Sequence, residues 1–194
     1  MNISDIYTDL QPLKTERLLL RKLTQGDLDD FYAWASDPEV ARYVTWGAHK
    51  SSDETHEFID RILNRYKHAN LAPWAIVHRK DNRMVGLDGF CKWDIRHSRA
   101  ELAYVLSKDY WNKGYMSEAS RAIINFGFQH MNLNRIDARC RIPNTGSARV
   151  MEKCGMTFEG ILREVAFIKG NFQDLKLYAI VKRDWLAHKE MEST

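Results

Sequence analysis

The sequence predicts an α/β fold, a mixed sheet with helices on both faces. Three observations carry that expectation. Short apolar runs of strand length recur along the chain. Between them lie stretches with apolar residues at helical spacing, some opened by capping residues. The order is strand, helices, a run of three strands, helix, strand, helix and a closing hairpin, which layers helices on a sheet. With 194 residues the chain has the length of one domain, expected to span 1–194. That length buries a core without disulfide or metal staples.

The elements follow in order. Residues 16–21 (ERLLLR) are an apolar run between charges and read as the first strand. Asp27 opens a helix with Leu28, Phe31, Trp34 and Ala35 on one face. Asp37-Pro38 breaks it, because the residue before a proline is pushed out of the helical region. A second short helix is expected over 39–43. Ser51 and Glu54 form a capping-box pattern ahead of Phe58, Ile59, Ile62, Leu63 and Tyr66 on one helical face.

Residues 73–78 (PWAIVH) and 84–93 read as paired strands around a turn at 80–83, and 99–106 (RAELAYVL) as the next. A helix is expected from Ser117 to Met131, a strand over 135–142 and a short helix over 147–153. The last two strands, 158–168 and 172–181, flank Gly170-Asn171, a hairpin signal.

Composition narrows the function classes. Hydrophobic residues make up 44% and charged residues 28%, the balance of a globular chain rather than a disordered one. The net charge of +3 is spread among mixed signs, which argues against a nucleic-acid partner. It suits an anionic small ligand if the excess is local. The three cysteines, Cys91, Cys140 and Cys154, match no zinc or redox spacing and read as reduced thiols of a cytoplasmic protein. The start, with Asp5 and Asp9, has no apolar signal-type stretch, and no run is long enough to span a bilayer, so no membrane partner is expected. No metal is expected either. GxGxxG and P-loop patterns are absent, and His56-Glu57 fails as a zinc motif because Asp60 stands where the second histidine belongs.

The most informative stretch runs Tyr110-Trp111-Asn112-Lys113-Gly114-Tyr115-Met116-Ser117-Glu118-Ala119, after a strand and into a helix. First-turn amides have no intrahelical partner and carry the positive end of the helix dipole, a geometry that binds phosphate oxygens. Gly114 permits a left-handed turn, Lys113 adds charge, and Ser117 either caps the helix or offers a hydroxyl. A plain strand-to-helix connection uses the same residue types. A second stretch, from Asn144 through Ser147 and Arg149 to Gly155, follows the next strand. Asn144 either bonds a ligand amide or makes a local turn, and the plain reading of the segment is a capped helix with Gly155 as its left-handed end.

Together these segments resemble the GNAT superfamily of N-acetyltransferases, in its branch of ribosomal-protein N-terminal acetyltransferases, RimJ and RimL. The likeness extends over nearly the whole chain. Residues 15–21 (TERLLLR), 37–40 (DPEV), 101–106 (ELAYVL), 111–119 (WNKGYMSEA), 144–155 (NTGSARVMEKCG), 159–163 (EGILR) and Gly170 with Asp174 and Tyr178 match that branch's motifs in order. The resemblance implies a central, mostly antiparallel sheet of roughly six to seven strands with helices on both faces. It also implies strands splayed at an acetyl-CoA site. Tyr104, Val105 and Leu106 would lend backbone groups to the pantetheine arm. Asn112, Lys113, Gly114, Tyr115, Met116 and Ser117 would hold the pyrophosphate. Asn144 would contact the pantetheine or a water beside it, and Arg149 the nucleotide end. The chain departs from the family at Asn112 and Met116, where Gly and Ala are usual. Asn tolerates a left-handed backbone. Met116 either crowds the ligand or turns away. Met151 occupies the position of the tyrosine general acid found in many members, so Ser147 is the substitute this branch suggests.

The implied activity is acetyl transfer from acetyl-CoA to a primary amine, most readily a protein or peptide N-terminal amine, by direct attack in a ternary complex. An α-amine with pKa roughly 7.7–8.0 is partly neutral at cell pH, while a lysine-like amine near roughly 10.4 needs more help from a base. Glu101, at the start of the acetyl-CoA strand among apolar residues, is the candidate base, acting through water. The plain alternative pairs it with Arg99 or another surface arginine. Backbone amides would polarise the carbonyl, and Ser147 would donate to the leaving thiolate. Cys140 reads either as a thiol exposed to mixed disulfide formation with CoA or as a buried strand cysteine.

On the acceptor side, Trp34, Tyr43, Trp46, His49, Trp74, Trp93 and Phe172 either line a cleft or pack the core. Asp88, Asp94 and Glu164 either attract a cationic amine or are solvated charges. Small-molecule acceptors (an antibiotic, a polyamine, an amino sugar), a non-catalytic acetyl-CoA sensor and transfer of another acyl group remain open, as does a homodimer. A nucleic-acid reading of Arg135, Arg139, Arg141 and Arg149 lacks any supporting motif.

Overall fold

The computed structural model describes residues 2–192; Met1 and residues 193–194, which the expected 1–194 domain includes, lie outside the described residues. In chain order the strands are β1 (Leu13–Lys14), β2 (Leu18–Arg21), β3 (Trp74–His78), β4 (Arg83–Asp94), β5 (Arg99–Leu106), β6 (Arg135–Arg141), β7 (Thr157–Ile168) and β8 (Asn171–Val181). The helices are α1 (Ile3–Tyr7), α2 (Leu28–Ala35), α3 (Pro38–Ala41), α4 (Ser52–Lys67), α5 (Tyr115–His130), α6 (Thr145–Lys153) and α7 (Lys182–Glu192). The strands form one eight-stranded sheet in the order β1-β2-β3-β4-β5-β6-β8-β7. All pairings are antiparallel except β5 with β6. The mostly antiparallel sheet is as expected. The strand beyond the expected six to seven is β1, two residues too short to leave a periodic signal.

Several local signals play out one or two residues from where they were read. Thr15 closes a turn onto Leu18, which takes Glu16 and Arg17 out of the first strand. The closing hairpin turns at Lys169-Gly170, both at positive φ (51° and 81°), rather than at Gly170-Asn171, because Ile168 pairs with Asn171. Ser51 accepts from the Glu54 amide at 3.3 Å, but the Glu54 carboxylate reaches back one residue further, to the Lys50 amide at 2.7 Å. Asp37 caps α3, its side chain accepting the Glu39 amide. α1 and α7 were not anticipated.

Helices cover both faces of the sheet. Adjacent strand residues point to opposite faces. On β6, the Cys140 thiol meets Ser147 at the start of α6, while Arg141 donates to the Arg42 carbonyl just beyond α3 at 3.2 Å. So α6 and α3 lie on opposite sides. α5 joins α6 on its face and sits tightly there: a Cβ on Gly127 would come 2.8 Å from the Phe90 ring. The core between layers is built from Leu18, Leu20, Phe31, Ile59, Trp74, Ile76, Ile123 and Ile136, all fully buried. Of the seven aromatics read as lining a cleft or packing the core, Trp34, His49 and Trp74 are core, and Phe172 is exposed. Trp34 and His49 are buried among Phe31, Phe58 and Trp46 between α2 and α4, and Trp74 packs on Tyr7 and Phe126.

Among the described residues no helix is long and apolar enough to cross a membrane. All three cysteines are free.

Candidate functional site

The site is built where β5 and β6 part. The two strands pair in parallel from Arg99 with Arg135 to Leu102 with Ala138 and no further. Beyond that point β5 stays with β4 as far as Leu106, and β6 stays with β8 as far as Arg141. A splayed edge results. The Ser107 amide donates to the Val85 carbonyl at 2.7 Å. Antiparallel ladders alternate, so Val105 turns its backbone groups to β4 while Tyr104 and Leu106 turn theirs toward the gap. The Leu106 carbonyl is taken by the Trp111 indole at 2.8 Å. The backbone groups available in the gap are therefore the Tyr104 amide and carbonyl and the Leu106 amide. Val105, expected with them, contributes its backbone to β4 instead.

The loop after β5 leads into α5 at this gap. Asn112 and Gly114 both have positive φ, 59° and 81°. α5 begins at Tyr115 with Gly114 as its N-cap and no side-chain cap. The first bond of the helix runs from the Glu118 amide to the Gly114 carbonyl at 3.0 Å, so the amides ahead of it have no helical partner. Ser117, read as either a cap or a hydroxyl for phosphate, does not cap: it lies inside the helix and is buried, because the left-handed Gly114 starts the helix two residues earlier. Met116 is buried in the core and does not crowd the loop. Lys113 is exposed, its ammonium donating to the Asp109 carbonyl at 2.7 Å.

A brace that sequence reading missed holds this loop. Arg17 donates to Glu118 at 2.6 Å and to the Lys113 carbonyl at 3.0 Å. The Arg17 amide and the Thr15 hydroxyl also donate to Glu118. Burial works against charge on Glu118, but the bonds from Thr15 and Arg17 outweigh it and hold the carboxyl below its ordinary range. Tyr115 lies under the Arg17 guanidinium, 4.4 Å from ring centroid to carbon, and bonds His78 at 3.0 Å. The signal was the pairing of Arg17 in TERLLLR with Glu118 in WNKGYMSEA, two opposite charges in separate motifs.

α6 starts differently. Asn144 is its N-cap, and its side-chain oxygen accepts the Ser147 amide at 3.1 Å. The capped-helix reading of Asn144 therefore holds, and its NH₂ group is left for other partners. The Ser147 hydroxyl lies 2.9 Å from the Tyr104 phenol, which also reaches the Ser147 carbonyl at 3.1 Å. Cys140 joins the same hydroxyl. Burial pushes both the Tyr104 phenol and the Cys140 thiol up from their ordinary values. The thiol is therefore kept protonated and is no ready nucleophile. The Tyr104 hydroxyl was missed. Alternation along β5 places it with Leu102 and Leu106 toward the helices, where a buried phenol needs a partner. Arg149 is exposed on α6.

Glu101 lies on the opposite face of β5. A bulge in β4 between Phe90 and Lys92 brings Lys92 opposite it. The carboxylate is 3.0 Å from the Lys92 ammonium and 3.8 Å from Arg139. Its surroundings are thus cationic rather than apolar; Arg99 pairs with Asp94, and the arginine beside Glu101 is Arg139. Asp88 does not face the acceptor side: it is fully buried, bonds Ser120 at 2.7 Å, and desolvation pushes its carboxyl well up. Asp94 is held by His97 and Arg99 at the tip of the β4–β5 turn. Glu164 is exposed at positive φ, its amide bonded to Asp174. Among the described residues no group of His, Cys, Asp and Glu has the arrangement to hold a metal ion.

Comparison with known proteins agrees with this geometry. Residues 17–157 match the family described as the acetyltransferase (GNAT) domain. N-acetyltransferase p20 of Bacillus licheniformis, itself uncharacterised, is 31% identical over 91% of this chain and 99% of its own. A GNAT-family acetyltransferase structure from Bacillus anthracis superposes with a TM-score of 0.79 at 33% identity, covering 89% of this chain and 99% of that one. Two relatives carry named activities. The ribosomal-protein-serine acetyltransferase of Escherichia coli is 29% identical over 52% of this chain and 56% of its own. The spermidine N(1)-acetyltransferase of Vibrio cholerae is 25% identical over 90% of this chain and 98% of its own. The splayed strands, the uncapped helix start beside them and the family match converge: the chain belongs to the GNAT acetyltransferase family and is an acyltransferase of N-acetyltransferase type.

Proposed function

We propose that this chain, acting as one domain, transfers acetyl from acetyl-CoA to a primary amine, foremost a protein or peptide N-terminal α-amine, in a ternary complex. The observation that carries the reading is the gap between β5 and β6, with the α5 amides at one end and Glu101 at its mouth. The amides from Asn112 to Ser117 hold the pyrophosphate with the helix dipole behind them. The Tyr104 and Leu106 backbone groups bind the pantetheine arm, and the Asn144 NH₂ group donates to it from the other side. Arg149 reaches the nucleotide end. Acetyl-CoA supplies the activated acyl group. Glu101, through water, accepts the proton that the attacking amine loses. The Ser147 hydroxyl, tied to Tyr104, donates a hydrogen bond to the departing thiolate, a moderate leaving group with a pKa near roughly 8.5.

The test is thiol release from acetyl-CoA against a panel of N-terminal peptides and small amines, with Glu101→Gln in parallel. The expected result is release with one acceptor class and a loss of kcat of about 100-fold in the variant, the lower end for a general base. Tight acetyl-CoA binding without release on any amine would instead favour an acetyl-CoA sensor.

A further inference from the structure

The face of β6 opposite Cys140 carries two arginines that the transfer chemistry does not use. Arg139 and Arg141 are two residues apart on one strand, so both side chains leave the same face, the one that also carries Glu101. Each is half-buried, and in each the guanidinium Nε is buried with no hydrogen-bond partner among the described residues. Arg139 has one carboxylate near it, Glu101 at 3.8 Å, which is already bonded to Lys92 at 3.0 Å. Among the described residues Arg141 has no carboxylate partner; it donates to the Arg42 carbonyl and lies 5.8 Å from the Tyr43 ring centroid.

A third cation closes the group. Lys169, in the turn of the β7–β8 hairpin, donates to the Ala41 carbonyl at 2.6 Å. It is near enough to Arg141 for the two like charges to act on each other, and burial followed by that repulsion lowers its pKa. Asp88, one of the three acids read as able to draw a cationic amine, is buried under α5.

Three cations converging without a matching set of carboxylates is an unfavourable arrangement by itself. Like charges repel, and a buried N–H left unpaired loses the hydrogen bond it would make in water. An anionic ligand group removes both penalties, and the planar guanidinium fork matches a carboxylate or a phosphate. The phosphates of acetyl-CoA are assigned to the α5 amides, which lie with α6 on the opposite face of the sheet.

We propose that Arg139, Arg141 and Lys169 form an anion subsite for the acceptor, so that the amine substrate carries a carboxylate or phosphate close to its amine. This rests on the transferase reading above, with the acceptor entering on the Glu101 face. Glu101 lies beside the subsite, so an acceptor anchored there by its anionic group presents its amine to the base. A polycation such as spermidine meets the wrong sign of charge.

The experiment compares matched acceptors by thiol release: peptides with Asp-Glu or Lys-Lys at positions two and three, ethanolamine against O-phosphoethanolamine, and spermidine. The expected result is a preference of about tenfold or more in kcat/KM for the anionic member at low salt, shrinking as salt rises. Whether the peptide or the phosphate pair shows it identifies the anion. In Arg141→Gln and Arg139→Gln the preference collapses through KM, kcat changes less, and acetyl-CoA affinity is unchanged. Arg141→Lys restores part of it. Equal rates, a preference for the Lys-Lys peptide or spermidine, or a preference that survives both glutamine substitutions would overturn the proposal. Calorimetry of the same peptides against CoA-saturated protein separates the two readings. Selective binding of the acidic peptide without turnover would keep the subsite and remove the transferase reading; no selective binding would remove the subsite.

Discussion

Two helices start at the same open edge of the sheet, and they start in opposite ways. α6 is closed by its own sequence: the Asn144 side chain takes the Ser147 amide. α5 is left open: Gly114 stands at the cap with φ 81° and offers no side chain. A capped start satisfies an amide that would otherwise seek a ligand, and an uncapped one leaves its first-turn amides pointing outward. In the function proposed above, this contrast gives the anion-binding task to α5 and leaves α6 to carry Ser147 into the gap. The Arg17–Glu118 brace belongs to the same design, because it fixes the α5 loop without using the loop's own amides as donors.

Breaking the open start has the largest expected effect. In Gly114→Val a β-branched residue must adopt φ near 81°, with its Cβ about as close to Arg17 as the 3.5 Å an added Cβ would have. Strain of roughly 1–3 kcal/mol is expected, read as a loss of acetyl-CoA affinity of about tenfold or more in calorimetry, with melting temperature as the control for folding. Next is Ser147→Ala, which removes the hydroxyl that Tyr104 and Cys140 share and leaves Tyr104 the backbone carbonyl at 147. A fall in kcat of about tenfold, or roughly 1.4 kcal/mol of barrier, with acetyl-CoA affinity retained, is expected in steady-state kinetics.

Opening the closed start is a smaller change. Asn144→Ala removes a helix cap, worth about 1 kcal/mol, and lowers the melting temperature by roughly 2–4 °C for a chain of this size. A larger loss of acetyl-CoA affinity than of stability would mean that the Asn144 NH₂ group is chiefly a ligand donor.

The smallest effect concerns Asp88, beneath the second turn of α5. Desolvation raises its folded pKa above the unfolded value near roughly 3.9. The native state therefore keeps a proton that the unfolded chain releases, and stability falls as pH rises above that value. Asp88→Asn, which mimics the neutral carboxyl, is expected to gain melting temperature over the parent as pH goes from about 4 to 8 and to leave acetyl-CoA affinity unchanged. A gain that is flat with pH would show that Asp88 is ionised in the fold.

The contrast between the two helix starts was half legible in the sequence. Gly114 and the tolerance of Asn112 for a left-handed backbone could be read directly, because φ preference is a property of single residues. The order of strands and helices was legible from apolar periodicity, except at β1, α1 and α7, which are short or weakly periodic. Long-range partners were not. Glu101 was expected among apolar neighbours, but the β4 bulge brings Lys92 to it and β6 brings Arg139. Asp88 looked like a surface acid, yet the sheet buries it under Ser120. Such pairings depend on register and packing, which local pattern does not encode.

The place where acetyl-CoA meets the backbone is central to the proposed function. Amide shifts followed by NMR during an acetyl-CoA titration test it. The largest changes are expected at Asn112 to Ser117 and at Tyr104 and Leu106, with smaller ones at Ser147 and Ala148. Largest changes at the start of α6, with the Asn112 to Ser117 amides unmoved, would contradict it.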